Sequence, residues 1–301
     1  MDEMQLQTRL ALHPWSLETT PLAVLLRVAR ETGWNAVELR NADFAVAAGA
    51  GMGNGEVLAL IRESGMPVSV LGVKYGWIFA RGEERRRLFA DFADTCANAV
   101  ALGCDMLMSA PGPRAEGTIS AAAASLREAG DVARSYGLRL AIEFSCTHNV
   151  INSLEKAREM LALAGHPSCG LLLDTYHLER TGAGGRAFAE VPPQEIFAFH
   201  FSDCPATPLA PDTARPVDRL VPGRGVVRWR EVLGLLIEKG YSGYLSYEGP
   251  NPVQWARSPE EVAREAAAAM RTILASLRGE SELHPPGAGA RRAAHGTEGG
   301  A

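Results

Sequence analysis

The sequence predicts a single-domain α/β fold, a (β/α)8 TIM barrel, from three observations. Eight short apolar runs recur along its 301 residues. Longer amphipathic stretches separate them, the pattern of parallel strands joined by helices. The runs are β-branched or leucine-rich and nearly continuous in apolar character, as strands buried on both faces should be. A chain of this length is ordinary for one α/β barrel. An open doubly wound sheet of eight strands is the alternative.

In order, the strands read TRLALH, NAVEL, PVSVLG, DMLMS, LRLAIE, GLLLD, IFAFHFS and GYLSYE. The helix after the fifth is SLEKAREMLALAG, with Leu154, Ala157, Leu161 and Ala164 on one side and Gly165 to end it. After the seventh, WREVLGLLIEKG sets Trp229, Leu233, Leu236 and Ile237 on one stripe, with Gly240 as the stop. The sixth unit is the weakest, because RTGAGGRAFAEVPPQE leaves room for only a short helix. Its glycines are not a phosphate loop, since no Lys-Ser/Thr follows them. Residues 203–225 form a Pro-rich loop after the seventh strand, and loops that long in a compact domain are usually functional. The alanine run near Ala266 belongs to the last helix, where alanine has high propensity. The barrel is expected over residues 1–278, and 279–301, rich in Gly, Ala and charge, reads as a disordered C-terminal tail.

Composition excludes several classes of function. The net charge is −5 with no Lys/Arg block, so the footprint of a nucleic-acid or anionic-membrane partner is absent. No apolar run approaches the roughly 20 residues that a spanning helix needs. The acidic start MDEMQLQTRL carries no cleavage-site pattern, so no signal peptide is read. Five cysteines, an odd number with no CxxC pair, suit the reduced thiols of a cytoplasmic protein.

Strands five to eight share one peculiarity. Each ends its apolar run with a residue foreign to a core: Glu143, Asp174, His200 and Glu248. A charged residue closing a buried strand costs free energy unless it is paired or bound to a cation. Consecutive strand ends of a barrel are neighbours on the C-terminal face, where active sites sit. Three carboxylates and an imidazole around one point call for a divalent cation, because unpaired anions there would take up protons. Oxygen and nitrogen donors without thiolates suit Mn2+ first, with Mg2+, Co2+ or Zn2+ as alternatives, and point away from a structural zinc. Taken singly, each such Glu or Asp is more often a salt-bridge or cap partner, and a core His is usually just hydrogen-bonded. Repetition on four consecutive strands is what favours the metal.

The segments LAIEF, GLLLDTYHLERTG, FHFSDCP, DRLVPGRGVV and LSYEGPNP resemble the xylose-isomerase-like sugar isomerase/epimerase superfamily, and within it the inosose (2-keto-myo-inositol) isomerases. The resemblance runs from about residue 8 to 277 and is strongest from Leu140 to Trp255. It implies that Glu143, Asp174, His200 and Glu248 bind one metal. It places His177, in the Asp-x-x-His motif with Asp174, on a substrate oxygen, and Arg219, in the Arg-x-x-Pro-Gly-x-Gly motif, in the site. Two departures touch substrate contacts: Ser202 stands where Lys or Asp often follows the histidine, and GPNP follows the last glutamate.

The expected activity is isomerisation or epimerisation of a sugar or cyclic polyol ketone through a cis-enediolate. A metal with open positions would hold two adjacent oxygens of the α-hydroxyketone. Glu143 and Glu248 would then serve as general base and acid, with His177 and Arg219 on the oxygen that gains charge. The alternative is a dehydratase of the same fold, of the inosose or 3-dehydroshikimate type. A phosphodiesterase of the apurinic-site endonuclease type is disfavoured, because it needs a trinuclear zinc cluster and this acidic chain has only seven histidines. The expected partner is a small polyhydroxy ketone, and a homo-oligomer is left open.

Other residues have structural readings. His177 could satisfy a backbone carbonyl, and Arg219 could pair with Asp218 or Asp203. Glu38 and Arg40 are expected to pair with each other. His13 and Trp15 are expected at the mouth, joined by Trp77 and Trp255 as an apolar wall, although aromatic residues there more often pack. His148, Cys146 and Cys204 are given no chemistry.

Overall fold

Alternation along each strand divides the apolar side chains between two cores. The computed structural model describes Leu6 and residues 8–281. Its strands are β1 (Leu10–Leu12), β2 (Ala36–Arg40), β3 (Val68–Gly72), β4 (Met106–Ser109), β5 (Arg139–Glu143), β6 (Cys169–Asp174), β7 (Ile196–Phe201) and β8 (Leu245–Tyr247). They pair in chain order, all parallel, and β8 returns to β1 to close the barrel, which excludes the open sheet. Successive side chains point to opposite faces of a strand. Leu39, Leu71, Leu107, Ile142, Leu173 and Phe201 therefore face outward into the larger core, beneath the helices. Val70, Met106, Met108, Ala141, Leu172 and Ala198 form a smaller core inside the barrel.

The helices of the outer layer are α1 (Leu22–Glu31), α2 (Asn41–Gly49), α3 (Asn54–Glu63), α4 (Gly82–Ala101), α5 (Ile119–Ser135), α6 (Leu154–Ala164), α7 (Thr175–Arg180), α8 (Trp229–Glu238), α9 (Pro252–Trp255) and α10 (Pro259–Ser281). The boundaries of α6 follow from its end residues. The Ser153 hydroxyl accepts from the Lys156 N–H at its start, and Gly165 adopts φ 54° at its end, a conformation that costs glycine little. Helix α7 has only six residues, the short helix expected of the sixth unit. It begins directly from Asp174, whose carboxylate accepts from the Tyr176 N–H at 2.7 Å.

Helix α10 ends at Ser281, and residues 282–301 of the expected tail lie outside the described residues. Cys96, Cys104, Cys146, Cys169 and Cys204 are all free thiols. Among the described residues no single helix is long and apolar enough to cross a membrane.

Candidate metal centre

The inward-facing positions above the inner core are polar. Glu143 ends β5, Asp174 ends β6, His200 is the penultimate residue of β7, and Glu248 follows β8. Asp174 and His200 are register partners, and His200 pairs with Ser246, two residues before Glu248 on the same face. One ligand atom from each of Glu143, Asp174, His200 and Glu248 lies within 4.8 Å of the others, and all four residues are buried. His200 Nδ1 is 3.5 Å from Glu143 Oε1 and 3.4 Å from Glu248 Oε2.

This cluster is electrostatically unsatisfied. Glu143 Oε1 and His200 Nδ1 are buried without a hydrogen-bond partner. Burial, with the Glu248 and Asp174 carboxylates nearby, pushes the Glu143 carboxyl up to about 8. Burial opposes charge on His200, but Glu38, Glu248 and Glu143 outweigh it and raise the imidazole well above its ordinary value. For Glu248, burial is outweighed by Arg219, His200 and His13, which hold it well below the ordinary carboxylate range. The raised Glu143 and His200 reflect burial among carboxylates, whereas Glu248 already has cationic neighbours. Three carboxylates, one imidazole and two partnerless buried donor atoms fit a divalent ion.

Arg219 enters this cluster rather than the loop pairs that were the alternative for it. Its Nη1 is 2.5 Å from Asp174 Oδ2 and 2.8 Å from Glu248 Oε2, and Nη2 is 3.3 Å from His177 Nε2. Asp218 instead binds Arg180 and the Tyr176 hydroxyl, at 2.8 and 2.6 Å. Asp203 binds the loop itself: it accepts from the N–H groups of Cys204, Gly223 and Val227 and from Trp229 Nε1. The glycines beyond Arg219 thereby gain a physical reason. Gly223 adopts φ 85°, and a Cβ at Gly225 would collide with the Cys204 carbonyl and the Asp203 carboxylate. His177 is buried, which with Arg219 nearby lowers it to about 4, so it is neutral at physiological pH. Its Nδ1 lies 3.3 Å from the Cys146 N–H and 3.2 Å from the Cys146 thiol, not against a backbone carbonyl.

The expected Glu38–Arg40 pair does not form. Glu38 is fully buried and faces His200 Nε2, at 3.0 and 2.9 Å from its two oxygens. Arg40, one repeat higher on the same face of β2, binds Asp43 and Glu18. His13 is also buried inside, with Nε2 at 3.7 Å from Glu38 and 3.6 Å from Glu248. Both residues carry the signal that marked strands five to eight, a polar residue at the inward end of an apolar strand. Trp15 and Trp255 do meet at the mouth, where Trp255 Nε1 donates to the Trp15 carbonyl at 2.9 Å. Trp77 does not join them. It is fully buried between Phe89 and Phe92 of α4 and donates to Ser109 Oγ at 3.0 Å. Tyr75, which the sequence reading passed over, brings its hydroxyl to 3.5 Å from Met108 Sδ of the inner core.

A family model described as the xylose isomerase-like TIM barrel matches residues 26–273. The chain belongs to that family. An inosose isomerase of Halalkalibacterium halodurans is 32% identical over 145 residues, which is 47% of this chain and 50% of that one. A 3-dehydroshikimate dehydratase of Pseudomonas aeruginosa is 27% identical over 149 residues, 49% of this chain and 24% of that one. The chain thus spans about half the length of the inosose isomerases it matches. Among solved structures, the IolI protein with a bound zinc atom superposes with a TM-score of 0.79 at 20% identity, over 89% of this chain and 99% of that one. A probable 3-dehydroshikimate dehydratase of Bacillus anthracis superposes with a TM-score of 0.68 at 12% identity, over 87% of this chain and 98% of that one. At those identities the superpositions speak to the fold alone.

Proposed function

We propose that this chain is a divalent-metal-dependent isomerase or epimerase of a cyclic polyol ketone or sugar, similar in chemistry to inosose isomerases. One observation carries the reading: Glu143 and Glu248 are buried on either side of His200, and both face the point where the four strand-end side chains meet. Glu143, Asp174, His200 and Glu248 would hold the ion, with Mn2+ as first choice and Mg2+, Co2+ or Zn2+ also suited to the donors. When bound, it would supply Lewis-acid polarisation of a ketone and a template for two adjacent oxygens.

The side chains do the rest. One glutamate takes the proton from the carbinol carbon, and the C–H electron pair becomes the carbon–carbon double bond of a cis-enediolate. In an isomerase the other glutamate protonates the former carbonyl carbon, and the hydroxyl proton passes from one oxygen to the other. In an epimerase a proton returns to the original carbon from the opposite face. Neither sequence needs an external oxidant or reductant. Neutral His177 and cationic Arg219 would bind the oxygen on which charge develops. The partner in this reading is a small polyhydroxy ketone in the cytoplasm, with no nucleic acid or membrane involved.

Similarity to 3-dehydroshikimate dehydratases supports a second reading, in which the same proton removal is followed by loss of a β-hydroxyl as water. Incubating a panel of keto-inositols, ketoses and 3-dehydroshikimate with Mn2+-loaded protein separates the two by product mass and NMR. An isomeric product of unchanged mass supports the first reading, and a dehydrated product replaces it with the second. Substrate hydrogen traced as hydride would refute both.

A further inference from the structure

Glu38 is a carboxylate without solvent, sealed inside the barrel. Such a group is costly to bury unless a strong donor answers it. That donor comes from the far side of the barrel. Glu38 lies on β2 and His200 on β7, and both Glu38 oxygens are within hydrogen-bond distance of His200 Nε2. Arg40 is engaged elsewhere, with Asp43 and Glu18.

The bond has a consequence at the other ring nitrogen. A metal-ligating imidazole is neutral and carries one N–H. With a metal bound and that hydrogen on Nε2, directed at Glu38, the lone pair would be on Nδ1, which lies beside Glu143 and Glu248 and has no hydrogen-bond partner. His13, just after β1, lies beside this pair, with Nε2 at 3.7 Å from Glu38 and 3.6 Å from Glu248 and no hydrogen-bond partner. Its Nδ1 accepts from the Trp15 N–H at 3.1 Å, so its own hydrogen sits on Nε2 and points between Glu38 and Glu248.

We propose that Glu38 is a positioning residue of the metal centre: it fixes the tautomer and ring orientation of His200 and makes Nδ1 a stronger donor, without touching the ion. The inference rests on the reading of the strand-end residues as metal ligands. Partners of this kind typically change metal affinity by about ten- to a hundred-fold when removed.

The test measures Zn2+ and Mn2+ affinity by chelator competition for the unmodified protein, Glu38→Ala, Glu38→Gln and, as a control, His200→Ala. The metal affinity of Glu38→Ala should fall by about ten- to a hundred-fold. Glu38→Gln should fall less, because its carbonyl oxygen can still accept from Nε2. NMR of the unmodified zinc-loaded protein with 15N-labelled histidine should show His200 protonated at Nε2 and ligated through Nδ1. That measurement also decides the matter if the alanine variant fails to fold, since ligation through Nε2 overturns the proposal by itself. If His200→Ala loses the metal while a folded Glu38→Ala binds as tightly as the unmodified protein, this inference fails and the ligand set stands. If the unmodified protein binds neither ion, the metal reading fails and takes this inference with it.

Discussion

Asp203→Ala should destabilise the protein and loosen Arg219 together. The buried carboxylate accepts four hydrogen bonds of 2.7–3.0 Å, from the backbone N–H groups of Cys204, Gly223 and Val227 and from Trp229 Nε1. Each buried donor left without an acceptor costs about 1–3 kcal/mol. Gly223 is exposed and can turn to water, so its share is discounted. Two or three effective losses amount to about 3–5 kcal/mol. For a domain of this size that lowers Tm by about 5–9 °C. Asp203→Asn keeps one carbonyl oxygen and should lose about half as much. The assay is thermal denaturation followed by far-UV circular dichroism at fixed metal concentration, with turnover measured at a temperature where both proteins are folded. Turnover should fall as well, because the lost carboxylate holds Gly223 and Val227, which follow Arg219 in the same loop. A Tm within about 2 °C of the unmodified protein for Asp203→Ala would refute the reasoning.

Asp174→Asn keeps the acceptor for the Tyr176 N–H but removes an anionic ligand, so dialysed protein should lose stoichiometric metal; elemental analysis showing full retention would sink the site as drawn. Glu143→Gln and Glu248→Gln, with metal kept saturating, should each lower turnover by about a hundred- to ten-thousand-fold, the range of lost general acid–base catalysis. A variant turning over near the unmodified rate would reduce its glutamate to a ligand. Gly225→Ala should lower Tm, since the added methyl meets the Cys204 carbonyl and the Asp203 carboxylate; an unchanged melting curve would contradict that close approach. Burial pushes the Cys146 thiol up to about 12, as it does Cys96, Cys104 and Cys169. Only thiolate reacts with iodoacetamide, so alkylation of these four should be slow at pH 8 and accelerate as pH rises towards that value. Modification of the buried Cys96 or Cys104 within minutes at pH 8 would refute this.

The barrel was legible because buried parallel strands leave continuous apolar runs, and a polar residue closing such a run is conspicuous. That rule located Glu143, Asp174, His200 and Glu248. Applied to LALH and AVE it also reaches His13 and Glu38, which sit at the same inward level. The preference for pairing Glu38 with Arg40 hid this. Neighbouring opposite charges look complementary in a string of letters, whereas the Glu38 contact joins β2 to β7 across the interior. Trp77 was misplaced for the converse reason. A tryptophan after a strand can face the mouth or the helices, and the choice depends on Phe89, Phe92 and Ser109, which come later in the chain. The motif around Arg219 was visible, but the cause of its glycines was not, because Asp203 lies twenty positions before Gly223.

The antiparallel bridge between Asp203 and Leu220 separates two problems that evolution would otherwise have to solve together. It joins the two ends of the long loop next to Arg219, so the span from Pro205 to Val217 leaves and re-enters the rim at one point. Changes within that span are expected to move the guanidinium less than changes at the bridge. Relatives with this clasp could diverge in the substrates they admit by editing that span alone. A loop-exchange library confined to residues 205–217 is accordingly the economical place to search for altered selectivity.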